Sequence, residues 1–253
     1  MRIRACALTD QGKVRSSNED RFLLIDTTNP VATNIIDLDT ANGAYMTVID
    51  GMGGMGFGDI AAETIATRLE FFFQRLEIIN PQADVIESLI NANDYLRVVI
   101  EKNPVYEGMG AVVTACLVKG EKACVAQIGD SRLYLFRDNV LKQITKDQNF
   151  VAELLESGLI TRAEALVHPN KNQVTQAIGP QDQITPVNTE FTVKQRDRLL
   201  LCSDGLYGMV SDESIGQILK EKSNMEECAK ELLEIANESG GGDNITVVVA
   251  DLS

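Results

Sequence analysis

The 253-residue chain has no tryptophan, a single histidine, and cysteines that form no Cys-x-x-Cys pair. Each scarcity excludes something. Without imidazoles or paired thiolates, the ligands that zinc favours are in short supply. Cys6, Cys116, Cys124, Cys202 and Cys228 are odd in number and sit among apolar neighbours, so they read as core thiols in a reducing compartment rather than a disulfide framework. No apolar run approaches the roughly 20 residues of a membrane helix. The opening MRIRACALTDQG lacks the apolar stretch of a signal peptide. These features predict a soluble, cytoplasmic protein without a membrane partner. Positive charge is scarce too: Lys+Arg 23 against Asp+Glu 37 gives a net charge of −14. Such a surface repels nucleic acid and anionic lipid, so neither is an expected partner. A phosphate-bearing substrate would need the field reversed locally, and scattered basic residues leave bound divalent metal as the candidate.

What is present is an ordinary globular mixture of 44% apolar and 24% charged residues, long enough to bury a substantial core. Ile3–Leu8, Arg21–Asp26 and Tyr45–Ile49 read as strands, with residues 29–43 as a polar surface excursion. Ile65, Leu69, Phe72, Phe73 and Leu76 recur at helical spacing, and Pro81 opens a second helix that Pro104 closes. The period then changes. Ala111–Val118, Lys122–Ile128, Arg132–Phe136 and Val140–Ile144, parted by turn residues, describe an antiparallel meander. Short helical pieces follow over 148–170. Further strands are expected at Gln173–Ala177, Val187–Val193 and Arg198–Cys202. Ser211 is a candidate N-cap, Met225–Glu238 a last helix and Asn244–Leu252 a last strand. With no linker or repeat, this order predicts a single α+β or layered sandwich domain of antiparallel sheets covered by helix pairs.

The chemistry gathers at strand ends. YMTVIDGMGGMGFGD (45–59) is a strand reaching Asp50-Gly51, then a glycine-dense loop, then a helix. Alone, it reads as a tight turn before it reads as a site. Yet Asp204 follows another strand and also precedes glycine. Asp243 precedes the last strand, Glu19 and Asp20 precede the second, and Asp130 sits at a strand junction. Carboxylates converging on one rim repel one another when bare, and hard oxygen ligands suit Mg²⁺ or Mn²⁺. Unrelated aspartate turns on an acidic protein are the bland alternative.

Five ordered segments sharpen the choice: VRSSNED (14–20), VIDGMGG (48–54), IGDSRLY (128–134), CSDGLYG (202–208) and GGDNITVVV (241–249). Together they resemble the metal-dependent Ser/Thr protein phosphatases, the protein phosphatase 2C-like (PPM) family, in its compact bacterial form. The resemblance spans essentially the whole chain. It implies a four-layer αββα domain over residues 1–253, a central antiparallel β-sandwich flanked by helix pairs, with a flap at about 147–172. It further implies that Asp50 bridges two divalent ions, Mn²⁺ or Mg²⁺, with the Gly51 carbonyl on one. Asp204 and Asp243 complete the first ion's shell, while Glu19 and Asp20 support the second. Asp130 and Asp204 hold a weaker third, and Arg15 grips substrate phosphate. The implied reaction is attack of a water or hydroxide bridging two metals on phosphoserine or phosphothreonine, in a monomer that opposes a Ser/Thr kinase.

The chain departs from the family where a histidine is common. Met52, Met55 and Gln148 stand there, and His168 reads as a loop residue beside Pro169. Gly110-Ala111-Val112, where the family often carries hydroxyls, reads as packing, and so does the Phe71–Phe73 triplet. The missing histidines favour a second reading, a weakly active or inactive relative serving as a metal- and phosphoprotein-binding module. A third, a Ca²⁺-binding structural domain, leaves Arg15 and the ordered segments unexplained.

Overall fold

The computed structural model describes residues 1–75, 77–166 and 168–253, without the side chains of Met55, Arg162 and Leu166. Leu76, expected as the last apolar position of the first long helix, and the Met55 side chain lie outside what is described. In chain order the elements are β1 (Arg2–Asp10), β2 (Asp20–Asp26), β3 (Ile35–Asp39), β4 (Ala44–Met52), α1 (Gly58–Gln74), α2 (Pro81–Lys102), β5 (Gly110–Lys119) and β6 (Lys122–Ile128). They continue with β7 (Arg132–Arg137), β8 (Val140–Gln143), α3 (Phe150–Glu156), α4 (Arg162–Leu166), β9 (Val187–Thr192), β10 (Arg198–Cys202), α5 (Asp204–Tyr207), α6 (Asp212–Glu221), α7 (Met225–Glu238) and β11 (Ile245–Leu252).

Two antiparallel sheets stack face to face, one ordered β3-β1-β11-β10-β7-β8 and the other β2-β4-β5-β6-β9. The long central strands are apolar on both faces because both are covered. Along β4, Tyr45 and Ile49 pack under α1 and α2, while Met46 and Val48 meet Leu199, Leu201 and Val248 of the facing sheet. On the far side Leu200, Val247 and Val249 pack against Leu219, Cys228 and Leu232 of α6 and α7. The layers therefore run αββα, an α+β fold as expected. The helix starts follow their caps: Asn80 over Ala83, Ser211 over Ser214, Asn224 over Glu226. All five cysteines are buried and free, as the sequence predicts.

Three expectations need correction. Residues 29–43 are not wholly irregular: β3 pairs with the edge of β1, burying Ile36 and Leu38 while Ile35 and Asp37 face out. Residues 173–177 form no strand, only a single bridge from Val174 to Asn149. The meander is broken, since β5–β6 belong to one sheet and β7–β8 to the other. The chain crosses between them at Gly129, whose φ of +95° lies in the left-handed region, and a Cβ there would fall 2.1 Å from Val112 Cγ1.

A comparable crowding organises the end of β4. Asp50 and Gly51 do not follow that strand but lie within it, opposite Val112 and Ala111 of β5. A Cβ on Gly51 would sit 2.1 Å from the carbonyl oxygen of Gly58 and 2.6 Å from that of Glu19. Strand, returning helix and the preceding loop thus touch backbone to backbone. Gly51→Ala is expected to destabilise the protein by about 1–3 kcal/mol, the usual range for forced overpacking. Urea unfolding would show a lower midpoint at unchanged slope; an unchanged midpoint would mean that these backbones are not in contact.

Candidate metal centre

All the predicted acidic residues lie at one end of the sandwich, delivered by different elements. Asp20 and Asp50 are direct partners across β2 and β4. Side chains alternate along a strand, so Asp50 shares with Met46 and Val48 the face toward the other sheet. From that sheet Ser203 Oγ donates to Asp20 Oδ2 at 2.7 Å and accepts from the Thr246 backbone N–H at 3.0 Å. The next residue, Asp204, opens α5. Asp243 lies just before β11, and its Oδ2 accepts from Arg15 Nη2 at 2.7 Å. Asp130 occupies the crossing between the sheets and is only 6% exposed. Its backbone carbonyl accepts from the Tyr207 hydroxyl at 3.0 Å.

Side chains that the sequence reading left without a role hold this set in place. Asn244 accepts from the Glu19 N–H at 2.8 Å and donates to the Gln11 and Ser17 carbonyls, both at 2.8 Å. It thereby stitches the loop carrying Arg15 and Glu19 to the start of β11. Asn149 donates to Asp130 Oδ2 at 3.0 Å while accepting from Ala152 N–H at 2.8 Å, so one amide both braces Asp130 and caps α3. Gln148 clasps Gly129 twice, Oε1 to its N–H at 2.7 Å and backbone N–H to its carbonyl at 2.9 Å. Asn149 and Asn244 each adjoin a residue the sequence did flag, Gln148 and Asp243. An amide's reach across the fold leaves no spacing signal.

His168 lies apart from these contacts. Its Nδ1 accepts from the Asn170 N–H at 3.1 Å and its ring centroid is 5.8 Å from that of Phe150, as expected of a loop histidine.

The electrostatics are those of crowded carboxylates. Burial, then Asp20, Asp204, Asp130 and Asp243, holds the Asp50 pKa well above the ordinary carboxylate range. Burial followed by Asp130, Asp243 and Asp20 raises Asp204 to about 7, with Arg15 opposing. Burial lifts Asp20 to about 6 against the Ser203 bond, and lifts Asp130 to about 6 against the Asn149 bond. Glu19 is raised by burial, with Arg15 opposing and Asp59 adding. Asp50 and Asp204 are half-buried by surface, yet loss of hydration is still the largest influence on each.

Nearby Arg21 points outward, to Glu63 and to the Asn18 and Asp20 carbonyls, so Arg15 stands as the cation whose charge lowers both Asp204 and Glu19. An all-oxygen donor set with this unmet negative charge fits hard divalent cations such as Mg²⁺ or Mn²⁺. As they stand, no three acidic, histidine or cysteine side chains among the described residues are gathered tightly enough to hold an ion. The carboxylates are within mutual Coulombic reach, and a cation would draw them closer.

Comparison with known proteins gives consistent matches. Residues 5–245 match the family described as Protein phosphatase 2C. The chain is 36% identical over 254 residues to the Serine/threonine protein phosphatase PstP of Mycobacterium tuberculosis, covering 99% of this chain and 45% of that one. It therefore spans less than half the length of that relative. With the Serine/threonine phosphatase stp of Listeria welshimeri the identity is 32%, covering 96% of this chain and 93% of the relative. A solved structure of the catalytic domain of PstP in complex with two manganese ions superposes with a TM-score of 0.85 at 34% identity, covering both chains fully.

The raised carboxyl pKa values carry a sign. Unfolded aspartates titrate near ~4, so between there and about 6 to 7 the metal-free folded form binds more protons than the unfolded form. This cluster's contribution to stability is complete below the unfolded value and is lost as pH rises through about 6 to 7. In EDTA, the cluster is expected to lower Tm between pH 5 and pH 8. Added Mn²⁺ should raise Tm more at pH 8 than at pH 5. Calorimetry showing equal Mn²⁺ shifts at both pH values would contradict this picture of the rim.

Proposed function

The chain belongs to the protein phosphatase 2C family, and on that premise we propose that it is a metal-dependent phosphatase of phosphoserine and phosphothreonine in proteins. The observation that carries the reading is the convergence of buried Asp20 and Asp130 with half-buried Asp50 and Asp204, with Asp243 beside them paired to Arg15. Asp50, the Gly51 carbonyl, Asp204 and Asp243 would hold one Mn²⁺ or Mg²⁺ ion. Asp50, Glu19 and Asp20 would hold a second, and Asp130 and Asp204 would hold a third more weakly. When bound, such ions lower the pKa of water and withdraw charge from a phosphoryl group.

The remaining work falls to the chain. Arg15 has a side chain 52% exposed and gives only Nη2 to Asp243, which leaves other guanidinium N–H groups for two phosphate oxygens at once. Its pairing with Asp243 sets the phosphate beside the acidic rim, not away from it. Asp20, fixed by Ser203, and Asp130, fixed by Asn149, keep their charges in place without solvent reorganisation.

Protonation of the leaving serine oxygen falls to water in this reading. Gln148, where many relatives carry histidine, ends in an amide with no acidic proton to give and is bonded to Gly129, and His168 lies apart from the rim in the loop beside Pro169, its Nδ1 accepting from Asn170. The substrates would be phosphoproteins made by a Ser/Thr kinase. A monomer in a reducing compartment, the cytoplasm, agrees with five buried free thiols. Among the described residues no helix is long and apolar enough to cross a membrane.

Asp204→Asn should abolish Mn²⁺-dependent hydrolysis of both an aryl phosphate and a phosphothreonine peptide; full activity in that variant would sink the assignment. Phosphopeptide binding by the wild type without turnover in millimolar Mn²⁺ would select a regulatory module instead. His168→Ala should leave kcat nearly unchanged, whereas loss of a true general acid costs about 10²–10⁴ in rate. A drop of that size would restore His168 to the reaction.

A further inference from the structure

The outer side of the α1–α2 layer carries a feature that the phosphatase reading does not use. Phe73 of the aromatic triplet is core, but Phe71 is 37% exposed and Tyr95 is 43% exposed. Two arginines lie on these rings. The Arg68 guanidinium stands 5.3 Å from the Phe71 centroid and 4.9 Å from that of Tyr95, and the Arg75 guanidinium stands 4.0 Å from Phe71. Arg68, Phe71, Phe72, Arg75 and Asn91 line a cavity of about 220 Å³.

Arg68 Nε donates to Asn91 Oδ1 at 2.7 Å, and among the described residues neither arginine pairs with a carboxylate. Of the other arginines whose side chains are described, Arg196 alone shares that lack. Arg2, Arg15, Arg21, Arg132, Arg137 and Arg198 each hold a carboxylate, and the net charge is −14. The rings lie against the two guanidinium groups, and apart from the Arg68 Nε held by Asn91 their N–H groups have no carboxylate among the described residues. A planar fork steadied by a ring loses less freedom on meeting an anion.

We propose that this cavity docks an acidic peptide segment, with carboxylates on the edges of Arg68 and Arg75 and an apolar side chain against Phe71. Charge complementarity supports that choice: the anions these arginines lack are not supplied by their own chain. The proposal rests on the phosphatase reading in naming the source of the segment, the phosphoprotein substrate itself. α1 starts at Gly58, against Gly51, so at about 1.5 Å per residue Arg68 and Arg75 lie roughly 15 and 25 Å along the helix from the acidic rim. An extended segment of about 5–8 residues bridges that span. Docking would then make delivery of the phosphosite intramolecular, which lowers KM without altering the chemical step.

The test uses an unphosphorylated, fluorescein-labelled peptide rich in Asp and Glu with one Phe, titrated into wild type and the R68E/R75E double variant. Thermal unfolding confirms that both are folded. Wild-type binding that weakens with salt, and falls at least about tenfold in the variant, is the expected result. In parallel, a phosphothreonine peptide is assayed with and without an acidic extension of about 5–8 residues. The extension should lower KM in the wild type, and the variant should lose that gain. Equal peptide binding by both proteins, or an extension without effect on KM, would overturn the docking site while hydrolysis continued. Selective peptide binding by a wild type that hydrolyses no aryl phosphate would uphold the docking site and overturn the phosphatase reading instead.

Discussion

Two aspartates facing each other across neighbouring strands, Asp20 opposite Asp50, set the terms for the rest of this molecule. Like charges in directly paired positions destabilise a sheet even at its surface. Here the pair points between the sheets, where hydration is lost and Asp204, Asp130 and Asp243 add to the repulsion. The sandwich sustains this because its core is extensive and continuous, from Met46 and Val48 to Leu199 and Val248, and holds the strand ends where they are. Where these carboxyls have lost their protons, a rim built in that way is neutralised by binding divalent cations, and the all-oxygen donors suit the hard ones. Ser203 and Asn149, each donating to one of these carboxylates, serve orientation more than charge balance.

The same end of the fold shows how backbone packing serves the site. Gly51 and Gly58 let β4 and α1 meet without side chains between them, with Glu19 pressed against both. The carbonyl of Gly51 and the carboxylates of Asp50 and Glu19 are therefore positioned by one contact. On the opposite side, Gln148 and Asn149 tie the segment leading into α3 to Gly129 and Asp130. Gln148, where the family resemblance leads one to expect a histidine, is a brace. The start of α3 and the crossing between the sheets are thereby joined by hydrogen bonds.

Much of this was legible because periodicity and turn chemistry are local. The apolar spacing of α1, the proline at the start of α2 and the cap Ser211 all act within a few residues. The misreadings share a cause. β3 is a five-residue edge strand whose alternation is diluted by polar neighbours, and only its pairing with β1 declares it. The turn at Gly129-Asp130 looks like any hairpin turn until Val112 is seen to crowd it and send the chain to the other sheet. Asp50 and Gly51 resemble a turn in sequence, yet β5 extends the ladder past them. Phe71 and Phe73, two positions apart, part company because a helix turns by about 100° per residue; one enters the core and the other carries two arginines.

The sequence by itself determined the class of chemistry: oxygen donors without imidazole or thiolate pairs, a rim-forming aspartate at each of several strand ends, and an arginine close by in the chain. Those are statements about residue type, and residue type survives without coordinates. Only the tertiary structure decided which atoms meet. It set Asp20 opposite Asp50, brought Ser203 and Asn244 across the two sheets, turned Arg15 onto Asp243 and left Arg68 and Arg75 without a carboxylate among the described residues. The physical reason is separation. Asn244 and Glu19 are 225 residues apart in the chain, and their 2.8 Å contact arises only when burial of the apolar strand faces closes the sandwich.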